Sequence, residues 1–238
     1  KGVITVICGD LDNVGIPLCE SKIPRLITMI GSTETAQKLI EQSSKTSIKR
    51  YSMECGGNAP FIVFPDADLE LAMTHGAALK TGNSGQICVA PNRFFVHESV
   101  IDRFTEGIIA KFKKAKIGFG RENKPDMGPL TNLRSVEKVH GIVQNALKHG
   151  GELRYGGKPI EGAGYYFQPT VIRLNNKKAG ILQQEIFGPV AIIVPFGTQE
   201  EVLELANNTN AGLASYVYSK DEKILAYFSE KLEFGEVH

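Results

Sequence analysis

The sequence predicts an α/β fold built on a parallel sheet with crossover helices. Three observations carry this. Short β-branched, apolar runs alternate with helical stretches over the first fifty-odd residues, the rhythm of strands joined by crossover helices. Pro60-Phe61-Ile62-Val63-Phe64 is continuously apolar, as in a strand buried on both faces. The stretch 133–149 carries Val136, Val139, Ile142, Val143, Ala146 and Leu147 at helical spacing and stops at Gly150-Gly151.

Residues 3–8 alternate β-branched and apolar groups and predict a strand ending at Gly9-Asp10; 11–20 fits a short helix. The run 24–30 predicts a strand leading into Gly31-Ser32-Thr33. A helix follows, N-capped by Ser32 or Thr33, with Glu34 in its first turn and Ala36, Leu39 and Ile40 on its apolar face. Residues 48–53 alternate and predict another strand. After the strand 60–64, Asp66 or Asp68 caps a helix over 69–80, and a strand at 93–97 follows the Gly/Asn/Ser turn. Helix 99–115 shows Val100, Phe104, Ile108, Ile109 and Phe112 on one face. A polar loop, 119–129, ends at Gly128-Pro129. Strands are expected at 152–155, 167–173, 190–196 and 213–218, and helices at 198–207 and 221–232. Lys1 starts almost directly on a strand, and 234–238 looks like a strand cut short, so a fragment of a longer chain is expected.

The chain has 238 residues, 42% hydrophobic and 22% charged, with 27 basic and 26 acidic side chains for a net charge of +1. That balance gives no electrostatic reason to expect nucleic acid or an anionic membrane as partner. No apolar run approaches the roughly 20 residues that span a bilayer. No signal peptide is read at the start, and a cytoplasmic location is expected. The cysteines are Cys8, Cys19, Cys55 and Cys88; none forms a C-x-x-C pair or has a histidine at metal-ligand spacing, so no metal is expected. Reduced thiols are expected, with Cys8 and Cys19 as small buried hydrophobes. The five histidines are read as solvated, without a catalytic role.

Four clusters carry chemistry. Cys88 follows the turn Thr81-Gly82-Asn83-Ser84-Gly85-Gln86-Ile87 and precedes the apolar run Phe94-Phe95-Val96, an arrangement that exposes a nucleophile and holds it still. Glu54, beside Gly56-Gly57, is a candidate general base; a carboxylate at a strand end is equally a surface or capping group. Gly31-Ser32-Thr33, between a strand and a helix, suits a phosphate, and equally an ordinary N-capped turn. In Gln184-Glu185-Ile186-Phe187-Gly188-Pro189 the Glu185 carboxylate suits a ribose diol and Phe187 a planar heterocycle; a charged turn before a strand has the same look.

Together these segments resemble the aldehyde dehydrogenase superfamily along essentially the whole chain. The carriers, in order, are Gly31-Ser32-Thr33-Glu34, Met53-Glu54-Cys55-Gly56-Gly57-Asn58-Ala59-Pro60, Pro65-Asp66-Ala67-Asp68-Leu69, Asn83-Ser84-Gly85-Gln86-Ile87-Cys88, Met127-Gly128-Pro129-Leu130, Phe167-Gln168-Pro169-Thr170, Glu185-Ile186-Phe187-Gly188-Pro189, and Asn207-Asn208 with Gly212-Leu213-Ala214. The look is nearest to the succinate-semialdehyde and lactaldehyde dehydrogenase branch, through Gly156-Gly157-Lys158, Tyr166–Thr170 and Ser229–Gly235.

The resemblance implies a three-layer fold, with the C-terminal part of an NAD(P)-binding domain over 1–54 and a catalytic domain over 55–238. It implies oxidation of a small aldehyde to the acid, with NAD or NADP accepting hydride from a thiohemiacetal on Cys88 and water hydrolysing the thioester. Glu54 would be the base, Gly31 and Ser32 the pyrophosphate turn, and Cys55 the strand end at the nicotinamide. Glu185 would hold the nicotinamide ribose, with Phe187 near the ring. The N–H of Cys88 would supply half of an oxyanion hole. A homodimer or homotetramer is expected on the same ground. There are departures. Ala36 stands where the phosphate turn usually has its second glycine, and Cys55 replaces the usual leucine. The upstream half of the cofactor domain and a C-terminal segment have no counterpart here. Two rivals remain: an enzyme that passes the thioester to coenzyme A, and a non-catalytic fragment or structural paralogue.

Overall fold

The structure, a computed structural model, describes residues 2–121 and 124–238. Lys1, where a strand is read as already under way, and Glu122 and Asn123, inside the expected loop 119–129, lie outside the described residues. The chain divides into two units, Lys1–Gly56 and Gly57–His238.

In the first unit, a π-helical turn at Leu11–Gly15 runs into α1 (Ile16–Glu20). Strand β1 (Leu26–Ile30), α2 (Thr33–Ser44) and β2 (Arg50–Glu54) follow, and β1 and β2 pair in parallel, Leu26 opposite Arg50 and Ile30 opposite Glu54. Ser32 starts α2 because its Oγ accepts the N–H of Thr35 at 3.2 Å. Leu39 and Ile40 lie on this helix as expected, with Ala36 buried.

Two expectations fail in this unit. Residues 3–8 form no strand and Cys8 is exposed. β-Branched residues fit a pleated, paired surface, and among the described residues no strand lies beside this segment. Cys19 is buried as expected, and burial, more than any other influence, pushes its thiol up.

Among the described residues the second unit is built on seven strands: β3 (Pro60–Val63), β4 (Arg93–His97), β5 (Gly151–Tyr155), β6 (Thr170–Leu174), β7 (Val190–Phe196), β8 (Ala214–Tyr218) and β9 (Glu236–Val237). Their order across the sheet is β5-β6-β7-β4-β3-β8-β9. All neighbouring pairs are parallel except β5 with β6, which closes one edge antiparallel. β6 begins later than the run 167–173 suggests. Phe167 instead bridges to Pro159, and Pro169 has no N–H for a ladder.

Alternation along the strands sorts the core into two layers. Phe61, Val63, Phe94 and Val96 pack with α3 (Leu69–Thr81) and α4 (Ile101–Lys114). Ile62, Phe64 and Phe95 pack on the other face with α5 (Leu133–Lys148), α6 (Gln199–Asn207) and α7 (Glu222–Lys231). The three layers expected from the resemblance are present in this unit. Asp68, Asn132, Thr198 and Asp221 cap four of these helices, each accepting a first-turn N–H. Among the described residues no helix is long and apolar enough to cross a membrane.

Phe61 is the aromatic centre of the first layer, 5.0 Å from the ring of Phe94 and stacked on Tyr218 at 4.6 Å. Phe61→Ala therefore leaves a cavity between sheet and helices. We expect it to lower the unfolding free energy by about 3–5 kcal/mol in urea denaturation. A loss below about 1 kcal/mol would contradict this packing.

Candidate active site

In the second unit the notable residues gather at the amino ends of β3, β4 and β7. Gly57 precedes β3, Cys88 precedes β4, and Glu185 and Phe187 precede β7. Gly57 is the meeting point. Its N–H donates to Glu185 Oε1 at 3.0 Å. A Cβ on Gly57 would stand 2.0 Å from the carbonyl oxygen of Cys88, closer than any side chain tolerates. So the structure brings Cys88 and Glu185 to one glycine, and only glycine fits there.

The segment behind Gly57 is bolted to the strand that follows the thiol. Asn92 donates to the Gly57 carbonyl at 3.2 Å. Arg93, fully buried, donates through Nε and Nη2 to the Asn58 carbonyl at 3.0 and 2.7 Å. Its remaining bonds go to the carbonyls of Leu205 and Ala206, both at 2.9 Å, at the end of α6. Burial pushes Arg93 down to about 10, which leaves it charged at neutral pH.

The turn before Cys88 is strained. Asn83 and Ser84 have φ of 46° and 57°, and Gly85 has φ of 69°. Two successive non-glycine residues in the left-handed region cost energy and persist only where their surroundings impose it. Ser84 donates to the Gly128 carbonyl at 2.7 Å, and Gln86 accepts from the N–H and hydroxyl of Thr131 at 2.9 and 2.8 Å. Phe187, with φ of 54°, is a second outlier, and a Cβ on Gly85 would meet the carbonyl of Gly188 at 2.3 Å. The thiol turn and the 185–188 turn are thus pressed together. On the far side of the thiol, Tyr216 donates to the Val89 carbonyl at 2.9 Å. Burial, then Glu236 and Cys88, pushes its hydroxyl up.

In the first unit the expected residues gather at the carboxyl ends of β1 and β2. The N–H of Gly31 donates to the Glu54 carbonyl at 2.9 Å, so the 31–33 turn and the Glu54–Cys55 strand end share one edge. That edge is where open α/β sheets bind ligands. The Ser32 hydroxyl is engaged with its own helix, accepting from Thr35 N–H and paired with Thr35 Oγ1 at 2.9 Å. Glu54, Cys55, Gly31 and Ser32 therefore lie in one unit, and Cys88, Glu185 and Phe187 in the other.

The sequence reading missed Lys80, Arg93, Gln86 and Tyr216. Lys80 was legible: with Leu69, Ala72, Met73, Gly76 and Ala77 it occupies the buried face of α3, where a lysine is out of place. It is fully buried, and its Nζ has no hydrogen-bond partner among the described residues. Burial pushes its ammonium down to about 7, with Glu185 opposing the shift.

The aldehyde dehydrogenase family model matches residues 1–238, and the chain belongs to that family. It is 40% identical over 236 residues to the NADP(+) succinate-semialdehyde dehydrogenase of Escherichia coli, covering 99% of this chain and 49% of that protein. The crystal structure of succinate-semialdehyde dehydrogenase from Burkholderia pseudomallei superposes with a TM-score of 0.96 at 41% identity, covering 100% of this chain and 49% of that one. Betaine aldehyde dehydrogenase from Staphylococcus aureus in complex with NAD+ gives 0.92 at 32% identity, over 97% of this chain and 46% of that one. The fold is the α/β aldehyde dehydrogenase fold, and the chain spans about half the length of these relatives.

Two measurements check the site. Gly57→Ala must displace the Cys88 backbone, so alkylation of Cys88 by iodoacetamide should change in rate about tenfold or more, because reactivity depends on the thiol's surroundings; an unchanged rate contradicts the close approach. Lys80 makes a signed prediction. From about pH 7 to about pH 9 the unfolded lysine keeps a proton that the folded one has released, so stability rises with pH by about 1.4 kcal/mol per unit relative to Lys80→Met. A flat difference between the two proteins over that window contradicts the burial.

Proposed function

We propose that this chain carries the reaction centre of an NAD- or NADP-dependent aldehyde dehydrogenase that oxidises a small aldehyde such as succinate semialdehyde to the carboxylic acid. The observation that carries this reading is the convergence of the Cys88 carbonyl and the Glu185 carboxylate on Gly57. Membership of the family and likeness to succinate-semialdehyde dehydrogenases support it.

The residues fit the cofactor. Glu185 is half-buried and uses one oxygen on Gly57, which leaves the other for a ribose hydroxyl. The turn at Gly31-Ser32, on the N-terminus of the twelve-residue α2, suits a pyrophosphate. Phe187, exposed in its strained turn, offers an aromatic face beside Glu185. When bound, the nicotinamide would supply the acceptor for a hydride and its electron pair.

Cys88 as thiolate adds to the aldehyde carbon, and the developing oxyanion takes a hydrogen bond from the Cys88 N–H. Loss of hydride from this adduct leaves a thioester on Cys88. Glu54 removes a proton from water, which attacks the thioester; the carboxylic acid leaves and Cys88 is restored. We assign Glu54, with Gly31 and Ser32, to a cofactor-binding part, 1–54, and Cys55, Cys88, Glu185 and Phe187 to a catalytic part, 55–238. A cytoplasmic homo-oligomer is the setting we propose.

The test uses the whole protein with a panel of aldehydes and each cofactor, following reduced cofactor by absorbance. Turnover without coenzyme A is expected; turnover only with coenzyme A contradicts the hydrolytic step. Cys88→Ala should abolish oxidation. Glu54→Gln should slow turnover by roughly 10²–10⁴-fold, the usual contribution of a general base. Full activity in Cys88→Ala would overturn the mechanism.

A further inference from the structure

The buried Lys80 has no part in the chemistry described above, and its surroundings show what it does. An ammonium brings three donors and a full charge into the protein, and burying them unpaired is costly. A leucine or methionine would complete the apolar face of α3 without that cost. Nothing hydrogen-bonds Lys80 Nζ among the described residues, and the opposing charge it senses is Glu185. Glu185 in turn has one fixed oxygen, held by Gly57 N–H; its other oxygen makes no hydrogen bond among the described residues. A carboxylate held by one bond is free to rotate unless a field orients it.

The position of Lys80 is suited to supplying that field. It lies one residue from the end of α3, where the strained turn to Cys88 begins. A Cβ on Gly85 would stand 3.2 Å from the Lys80 carbonyl and 2.3 Å from that of Gly188. The lysine backbone, the thiol turn and the turn carrying Glu185 are therefore in one packed cluster. Among the described residues Lys80 makes no direct ion pair, so its attraction for Glu185 acts without contact, from a fully buried charge that water screens weakly.

We propose that Lys80 is a positioning residue: its buried ammonium orients the Glu185 carboxylate that receives the cofactor ribose. The proposal rests on the reading of Glu185 as the ribose ligand. It touches neither substrate nor cofactor, so it should act on cofactor affinity and only through Glu185.

The experiment is a double-mutant cycle in the whole protein with Lys80→Met, Glu185→Gln and the pair. NAD and NADP dissociation constants are measured by calorimetry at about pH 6, below the value of about 7 to which burial lowers the ammonium, so that it is mostly charged. Lys80→Met is expected to weaken the cofactor that binds the wild type about tenfold, with the aldehyde KM unchanged and no further weakening on top of Glu185→Gln. An unchanged dissociation constant, or the same loss in both backgrounds, overturns the proposal. Unfolding by urea, run on the same four proteins without cofactor, reads the charge coupling independently. Non-additivity of about fivefold or more in the unfolding constant supports it, and additivity overturns it. Normal affinity in Glu185→Gln together with coupling in urea would instead sink the ribose reading alone, which keeps the two failures apart.

Discussion

The buried guanidinium of Arg93 is the interaction on which the rest of the site depends. It closes the gap between three elements with four hydrogen bonds: two to Asn58, and one each to Leu205 and Ala206 at the end of α6. A charge with no access to water is tolerable only when its donors are satisfied, so Arg93 fixes its partners as much as they fix it. Phe95 lies under its plane, 5.5 Å away. The consequence reaches the site through two residues. Asn58 follows Gly57, and Asn92 precedes Arg93, so the glycine and the thiol segment are registered against one another before either meets a ligand.

Around that frame the site stores strain. Asn83, Ser84 and Phe187 occupy left-handed backbone, which asparagine tolerates and serine and phenylalanine disfavour, and the two turns they belong to meet at Gly85 and Gly188. Side-chain bonds from Ser84 and Gln86 to the 128–131 segment hold the thiol turn in place. In the proposed reaction a Cys88 thiol presented this way would need little reorganisation to meet a carbonyl carbon, which is where positioning contributes most to rate. The proposed role of Lys80 extends the same logic to charge, with a fully buried, unpartnered cation biasing Glu185.

Much of this was legible in the sequence, and the exceptions have physical causes. Strands β4 and β7 fall on the expected residues, and Ser32 and Asp68 cap their helices, because apolar runs and capping side chains are local signals. The segment 3–8 was misread because a strand needs a partner, which its own residues cannot report. The Cys88, Glu54 and Glu185 clusters stood out by motif, whereas Arg93 and Tyr216 did not. Their importance lies in bonds to carbonyls more than a hundred residues away in sequence, in contacts such as Arg93 with Leu205 and Tyr216 with Val89. The approach of Gly57 to Cys88 is likewise a fact of tertiary packing, though the glycine pair itself marked the place.

The central claim is that Cys88 takes the substrate covalently. Its most direct test is peptide mass spectrometry of the Glu54→Gln protein, quenched after mixing with succinate semialdehyde and cofactor. Slow hydrolysis in that variant should leave the acyl group on the peptide that contains Cys88, with Cys55 unmodified. An acyl group on Cys55, or oxidation with no covalent adduct on either thiol, would contradict the account.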